Sequence, residues 1–546
     1  MNLIKSASYD IICIPKHALR ITPFAKNMNE LSEIQSFYVG KTIFITGGTG
    51  LMGKVLIEKL LYSCSNLKKI YILARAKRGR SPEARVNEMF KLPLFQRIQK
   101  QKPEMLKKVI ALNGDVTSDN LGLNDEQLEM LINETDIVFH CAATLRLESN
   151  LKDAIEMNTV GTKRMLELGK KMKNLTAFVH LSTAFCYPDK EELDEQIYDP
   201  SDDPHDVMKM VQWLDESAID QITPKVLNLH PNTYTYSKRL AEKLVANEFP
   251  NLPCCIARPS IVTPAWAEPL PGWVDNLNGP VGLLVGAGKG VIRSMHCIGS
   301  YHAEVIPVDV AINSLITIAQ KVANTEKSRG IQIYNITQNR IMPITWGEIL
   351  EKGKKIAYQY PFEGQVWYPA GDIHSNKFVH DLIVFFFHII PAYLIDFLML
   401  IFRQRRFMVR LQNRISTGLE VLQYFTTREW IFHNTNFLMM KEEMSSKDQQ
   451  IFPLNLLSID QTEYIKHCIL GARQYCMKED LSSLPRARRY QAVMYVIHLL
   501  AVYLFYFGFL YLIYNNVEVA RVLVDSTVEQ IKSLSILAGI AQEIRH

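Results

Sequence analysis

The chain has 546 residues, 48% of them hydrophobic and 21% charged, with a formal net charge of +5. This length and composition describe a globular protein of two or three domains with a large core, and exclude a disordered or low-complexity chain. Basic residues are spread along the sequence, which argues against a nucleic-acid partner and leaves a membrane-facing basic patch open.

The nine cysteines form no C-x-x-C pair and no zinc spacing, so they read as reduced thiols of a cytosol-facing protein, and no metal site is expected. Residues 1–36 have no long apolar core, because Lys16 interrupts the one candidate run. They read as an N-terminal extension and not as a secretory signal.

Lys41 to Thr46 alternates β-branched and aromatic residues like a buried strand, and Val55 to Leu61 has helical periodicity. Between them Gly47, Gly50 and Gly53 make a tight loop, with the helix expected to start at Gly53. Glycines let the backbone turn sharply and approach a ligand, and a helix start presents free N–H groups, so the loop reads as a pyrophosphate cradle. Gly48 to Lys54 also fits the phosphate loop of an ATPase, but Val55 stands where Ser or Thr should hold magnesium. The dinucleotide reading keeps the spacing Gly47-x-x-Gly50-x-x-Gly53 directly after a strand, with Thr46, Leu51 and Met52 completing the loop.

Lys69 to Arg75 is a second strand about twenty residues on, where a Rossmann unit selects its cofactor. An Asp or Glu there would bind the ribose 2′-OH of NADH. This chain has Arg75, Lys77 and Arg78, and guanidinium groups grip a 2′-phosphate, so NADPH is the expected cofactor. Ile110 to Asn113 and Asp136 to Ala143 read as third and fourth strands with helices between them. The alternation implies an α/β fold, a Rossmann-type doubly wound parallel sheet whose ligand lies at the carboxyl ends of the strands. Asp115 is placed there to accept from the adenine amino group, and small Ala142 and Ala143 permit close approach to the cofactor. His140 reads as a packed core histidine.

A fifth strand, Ala177 to Thr183, ends in the hydroxyls of Ser182 and Thr183. Tyr234 and Lys238, four apart, then share one face of a helix, where the ammonium is expected to lower the phenol pKa and make Tyr234 a usable proton donor. Beyond about Lys377 the pattern changes to helices rich in Phe, Leu and Ile. Ala492 to Tyr514 carries no charged residue except His498 and, at about 1.5 Å per residue, covers about 34 Å, enough to cross a bilayer. Arg486, Arg488 and Arg489 precede it, which puts the whole preceding chain on the cytosolic side. Leu382 to Phe402 is long enough to span but is interrupted by Pro391 and Asp396, and is expected to be an interfacial or buried helix.

Thr46 to Gly53, Gly114-Asp115, Ser182-Thr183 and Tyr234-x-x-x-Lys238 together resemble an extended short-chain dehydrogenase/reductase. More narrowly, Leu73 to Gly79, His180 to Ala184, Ala257 to Ile261, Pro271 to Gly279, Ile306 to Asp309 and Tyr334-Asn-Ile-Thr resemble the alcohol-forming fatty acyl-CoA reductases, including those of insects. The resemblance covers most of the chain from Phe37 to His498. It implies an NADPH-binding Rossmann reductase domain at 37–376 and a helical C-terminal, male-sterility domain at 377–480, including Arg428 to Asn436. A transmembrane helix at 492–514 and a tail at 515–546 follow.

It further implies that Thr183, with Ser182 beside it, assists Tyr234, and that Arg258 and Pro259 flank the nicotinamide. Asn158 orders the cofactor site, and Pro271 to Gly279 forms a substrate-side loop. Cys141 departs from the Asn or His usual before Ala-Ala. The implied substrate is a long-chain or very-long-chain acyl-CoA, reduced to a primary alcohol at a membrane, that of the endoplasmic reticulum first and the peroxisome second. Trp266 and Trp273 are candidates to line the acyl path, though such aromatics are more often core. Two other readings stand beside this one, a membrane-bound sterol or steroid dehydrogenase and a catalytically silent lipid-binding scaffold. No protein partner is implied.

Overall fold

Seven strands form the centre of the molecule: β1 (Thr42–Thr46), β2 (Lys69–Ala74), β3 (Val109–Asn113), β4 (Ile137–His140), β5 (Ala177–Leu181), β6 (Cys254–Pro259) and β7 (Gln332–Ile336). The computed structural model describes residues 31–543 apart from Pro200, Ser201, Lys327, Arg329 and Arg340. In it the strands pair in the order β7-β6-β5-β4-β1-β2-β3, all parallel. The chain steps outward from β1 to β3, returns to β4 on the other side of β1, and steps outward again. That reversal opens a crevice at the carboxyl ends of β1 and β4.

Strand alternation divides the core in two. Ile43, Ile45, Ile70, Ile72 and Phe139 point to one face, where α1 (Leu51–Ser63) and a later helix, Val308–Asn324, cover them. Phe44, Tyr71, Leu73 and Val138 point to the other, under α2 (Gly161–Lys171) and α3 (Thr233–Glu248). Both faces are buried, which is why β1 reads as an unbroken apolar run. Helix α1 begins at Leu51, two residues before the start expected from the glycine spacing, because Gly50 already serves as its N-cap and accepts from Lys54 N at 3.0 Å.

After β7 the chain is mainly helical, with α4 (Lys377–Ile401), α5 (Met408–Thr426), α6 (Gln461–Gly471), α7 (Leu484–Asn516) and α8 (Glu518–Glu543). This region is stitched to the sheet's carboxyl-end loops. Ile431–Phe432 pairs in parallel with Glu192–Leu193, and Tyr464 Oη donates to Pro264 O at 2.8 Å.

Helices α4 and α7 lie within the two segments, Lys377–Ile401 and Leu481–Asn516, that are long and apolar enough to cross a membrane. The α4 side chains Phe386, Tyr393 and Phe397 are exposed, which removes the buried alternative for Leu382 to Phe402. Of the N-terminal extension, residues 1–30 lie outside the described residues. Glu33–Phe37 is a short helix closed by a Ser32–Gln35 capping box.

Candidate active site

The Gly-rich loop closes onto the end of β4. Gly47 has φ +73°, and a Cβ there would lie 2.7 Å from Ala142 N and the Cys141 carbonyl, so only glycine fits. Thr46 Oγ1 bonds His140 Nδ1 at 2.8 Å and accepts from Ala142 N at 3.2 Å, fixing the loop to the strand beside it. Gly53 lies in the first turn of α1, against the backbone of Gly47 and Gly48, and a Cβ would push the helix away. The first N–H groups of a helix have no intrahelical acceptor, so those of Leu51, Met52 and Gly53 are free to meet a phosphate. This cradle suits the pyrophosphate of a dinucleotide.

At the end of β2, Arg75 Nη1 donates to Asp115 Oδ2 at 3.0 Å, and Asp115 Oδ1 accepts from Thr117 N at 3.1 Å. Lys77 and Arg80 exchange backbone bonds of 3.1 Å around a tight turn in which Arg78 has φ +53° and Gly79 φ +72°. Arg85 belongs to no sequence motif. It donates to Arg75 O at 2.5 Å and Thr49 Oγ1 at 3.1 Å, joining the basic strand end to the glycine loop. Burial, and then the nearby Arg75 charge, lower its pKa, as expected of a cation crowded by another cation. The only sequence sign was one more arginine about ten residues after the strand, with no spacing rule to single it out.

His140 is enclosed between Thr46 Oγ1 and Thr162 Oγ1, the latter at 3.0 Å, and burial lowers its pKa to about 3. It is a neutral core histidine. Cys141 is partly buried, with its thiol pushed up to about 12 by burial. Asn158 lies in a π-helical turn, Ile155–Val160, where Oδ1 accepts from Thr144 N at 2.8 Å and Nδ2 donates to Ser237 Oγ at 2.9 Å. It ties the loop after β4 to α3.

Helix α3 is capped by Asn232, whose Oδ1 accepts from Thr235 N at 2.9 Å, and Tyr234 and Lys238 follow one turn apart. The Tyr234 hydroxyl is hydrogen-bonded to Thr183, just beyond β5. Ser182 is buried, its N–H donating to Ala257 O at 2.8 Å. Lys238 Nζ donates to Leu181 O at 2.6 Å. Burial lowers its pKa to about 8, against the opposing pull of Cys141 and Glu242.

One expectation fails here. Burial raises the Tyr234 pKa, only the Thr183 bond opposes it, and Lys238 is not among the causes. The ammonium is turned to the β5 carbonyl, so sharing a helix face did not bring it to bear on the phenol. Tyr234 is therefore a protonated donor across the neutral range.

The Arg258 side chain does not line the cofactor crevice. Cys254, Ile256 and Arg258 share the α3 face of β6, so the guanidinium turns inward and not to the cofactor crevice. Nε and Nη2 donate to Glu242 at 2.9 and 2.6 Å, and Nη1 and Nη2 to the carbonyls of Asp194 and Gln196 at 3.1 and 3.0 Å. Both charged side chains are fully buried. Arg258 clamps the helix that carries Tyr234 and Lys238. Pro259 closes β6, opposite Ile336.

The segment from Pro271 to Gly279 packs over α1. Asp275 ion-pairs with Lys54, the lysine that made the ATPase loop plausible. Trp273 is buried against Tyr475, and Trp266 packs on Tyr464 and His467, so both tryptophans join the two halves of the chain. Gly272, at φ +73°, lies on the His467 carbonyl and on Gly471 of α6, where a Cβ on either glycine would overlap backbone. Gly471→Ala is expected to destabilise the fold by about 1–3 kcal/mol, read as a lower thermal midpoint of the purified chain. An unchanged midpoint would contradict this contact.

Two family models match the chain, each described as "Male sterility protein", an NAD-binding model over residues 45–315 and a Sterile model over residues 387–479. The chain is 36% identical over 457 residues to fatty acyl-CoA reductase 1 of Rattus norvegicus, covering 84% of this chain and 88% of the relative. With fatty acyl-CoA reductase 2 of Bos taurus it shares 35% over 470 residues, 86% of this chain and 91% of the relative.

Among solved structures, the terminal R domain of the myxalamid PKS-NRPS biosynthetic pathway aligns with TM-score 0.53 at 16% identity, over 81% of this chain and 93% of that one. The reductase domain of a Mycobacterium tuberculosis non-ribosomal peptide synthetase aligns with TM-score 0.52 at 15% identity, over 80% and 94%. These two likenesses concern the fold.

Proposed function

The chain belongs to the fatty acyl-CoA reductase family, and from that premise we propose that it reduces a long-chain acyl-CoA to a primary alcohol with NADPH at a membrane surface. The observation that carries the reading is that the similarity runs through both halves of the chain, the nucleotide-binding part and the C-terminal helical part. A sterol dehydrogenase has no use for that C-terminal half. A silent scaffold has no reason to keep Thr183, Tyr234 and Lys238 together.

A reduced nicotinamide bound in the cradle supplies a hydride for each of two reductions. In the first, Tyr234 and Thr183 hold the thioester oxygen as negative charge develops on it, and Tyr234 donates the proton. The hemithioacetal then breaks its C–S bond to give an aldehyde and the CoA thiol. In the second, Tyr234 protonates the alkoxide of the reduced aldehyde. One alcohol thus consumes two NADPH and two protons. Lys238 holds the nicotinamide ribose, and Asn158 and the Arg258–Glu242 clamp position the helix that carries the donor.

The Lys238 role needs the ammonium. With its pKa lowered to about 8, the group is charged below that pH and neutral above it. Turnover is therefore expected to fall as pH rises through about 8, and a Lys238→Met variant should be slow and lack that limb. A pH–rate profile level to the ordinary lysine range would count against the role.

NADPH is supported by Arg75, Lys77 and Arg78 at the end of β2 and by Arg85 beside them. Losing charge-assisted bonds of about 1.5–3 kcal/mol each should raise KM for NADPH at least about tenfold in Arg75→Ala/Arg85→Ala, with KM for NADH little changed. Equal loss with both cofactors would contradict selection by the 2′-phosphate.

Helix α7 is read as the single spanning helix, with Arg486, Arg488 and Arg489 on the cytosolic side together with the whole reductase part. The endoplasmic reticulum is the first expectation for the membrane, and the peroxisome the second.

A further inference from the structure

Helices α4 and α5 form a hairpin arm whose two ends lie at one place. The strand Asp372–His374, just before α4, pairs with Ser294–His296. At the far end of α5, Thr426 Oγ1 donates to His296 O at 2.9 Å, and Thr426 O accepts from Ile298 N at 3.0 Å. The turn between the helices carries Arg403, Arg405 and Arg406, all exposed.

The first leg is polar inside and apolar outside. His388, Ala392 and Asp396, four residues apart, are buried against the second leg. There His388 Nδ1 meets Gln412 Nε2 at 2.9 Å, and the Asp396 carboxylate accepts from the N–H groups of Phe407, Met408 and Val409 at 3.0, 2.9 and 3.1 Å. Outward stand Phe386, Tyr393 and Phe397, the last 57% exposed. The second leg does the opposite and exposes Arg410, Arg414 and Glu420. The hairpin is therefore amphipathic across its thickness, with one apolar leg and one polar leg.

This geometry argues against a crossing. If α4 alone spanned, its far end would be on the opposite side of the membrane from the strand Ser294–His296 and Ile298 just after it, to which Thr426 returns after only the length of α5. If both legs spanned, Arg410, Arg414 and Glu420 would enter hydrocarbon. Water is no better a solvent for the outer face of α4, since soluble proteins rarely expose an apolar surface of that extent.

We propose that the arm lies in the plane of the cytosolic leaflet, with α4 sunk among acyl chains, α5 facing water, and the Arg403–Arg406 tip on the phosphates of anionic lipids. The basic tip complements that surface. The arm is thus a second attachment that fixes the orientation of the reductase part about the axis of α7. The proposal rests on the reading of α7 as the spanning helix.

The test uses the full chain reconstituted in phosphatidylcholine vesicles with or without phosphatidylserine. Phe397→Cys carries a fluorophore, its signal is corrected for the labelled parent, and nitroxide lipids quench it either near the headgroup or at the bilayer centre. The expected result is stronger quenching by the headgroup-proximal nitroxide. Replacing Arg403, Arg405 and Arg406 by glutamine should weaken it at least about twofold with phosphatidylserine present and not without it.

A glycosylation tag between Gln404 and Arg405 should stay unmodified in microsomes. A glycosylated tip, or stronger quenching from the bilayer centre, would overturn the proposal in favour of a span. Absence of quenching in a chain that resists carbonate extraction would overturn it in favour of an arm in water or against a second copy. A chain released by carbonate would overturn instead the reading of α7 on which it rests.

Discussion

Replacing Tyr234 by phenylalanine is expected to lower alcohol formation by about 10²–10⁴-fold, the range for loss of a positioned proton donor, and to leave NADPH affinity within about twofold. The substitution removes one oxygen from a ring otherwise held by α3. Its partner Thr183 keeps the Phe185 N–H at 3.3 Å, so the pocket has no cause to collapse. Burial keeps the phenol protonated, so its loss removes the proton itself. Single-turnover assays at the hydride step, with NADPH binding followed by fluorescence, separate the two effects. Wild-type turnover in this variant would falsify the assignment of the donor.

Arg258→Met is expected to cost about 3–5 kcal/mol, because it leaves the Glu242 carboxylate buried without its cation. Glu242 also accepts from the Cys186 thiol at 3.2 Å, a weak donor that cannot replace a two-point guanidinium. The double variant Arg258→Met/Glu242→Leu removes both charges and should recover much of the loss. Denaturant midpoints of the three proteins measure this. Arg258→Met with an unchanged midpoint, or a double variant worse than the single one, would contradict the clamp.

Had Arg258 instead faced the cofactor, the main deficit would appear in KM for NADPH and not in stability. The two assignments therefore differ in their readout.

The nucleotide half was legible because its chemistry depends on local backbone requirements. Gly47 must be glycine where the loop meets Cys141 and Ala142, and that requirement leaves its spacing in the sequence. Tyr234 and Lys238 were legible as neighbours on one helix, yet the direction of the lysine was not. It is set by the Leu181 carbonyl, which lies 57 residues away in the chain. The resemblance places the Arg258–Ser260 loop beside the nicotinamide, and what it did not show is that strand alternation turns the Arg258 side chain to α3.

Arg85 and the Lys54–Asp275 pair could not be found at all, since each depends on elements meeting in space without a spacing rule. The arm shows a different limit. Pro391 and Asp396 marked Leu382 to Phe402 as an unusual membrane segment, but Asp396 is the N-terminal cap of the next helix. That role needs the hairpin to be seen.

The most direct test of the account is product analysis of the purified full chain in detergent with NADPH, offered a panel of acyl-CoAs of different length and a panel of sterols. The account predicts primary fatty alcohol from acyl-CoA, with free CoA released and about two NADPH oxidised per alcohol, as two hydride transfers require. Turnover of a sterol in place of acyl-CoA, or lipid binding without any NADPH oxidation, would contradict it.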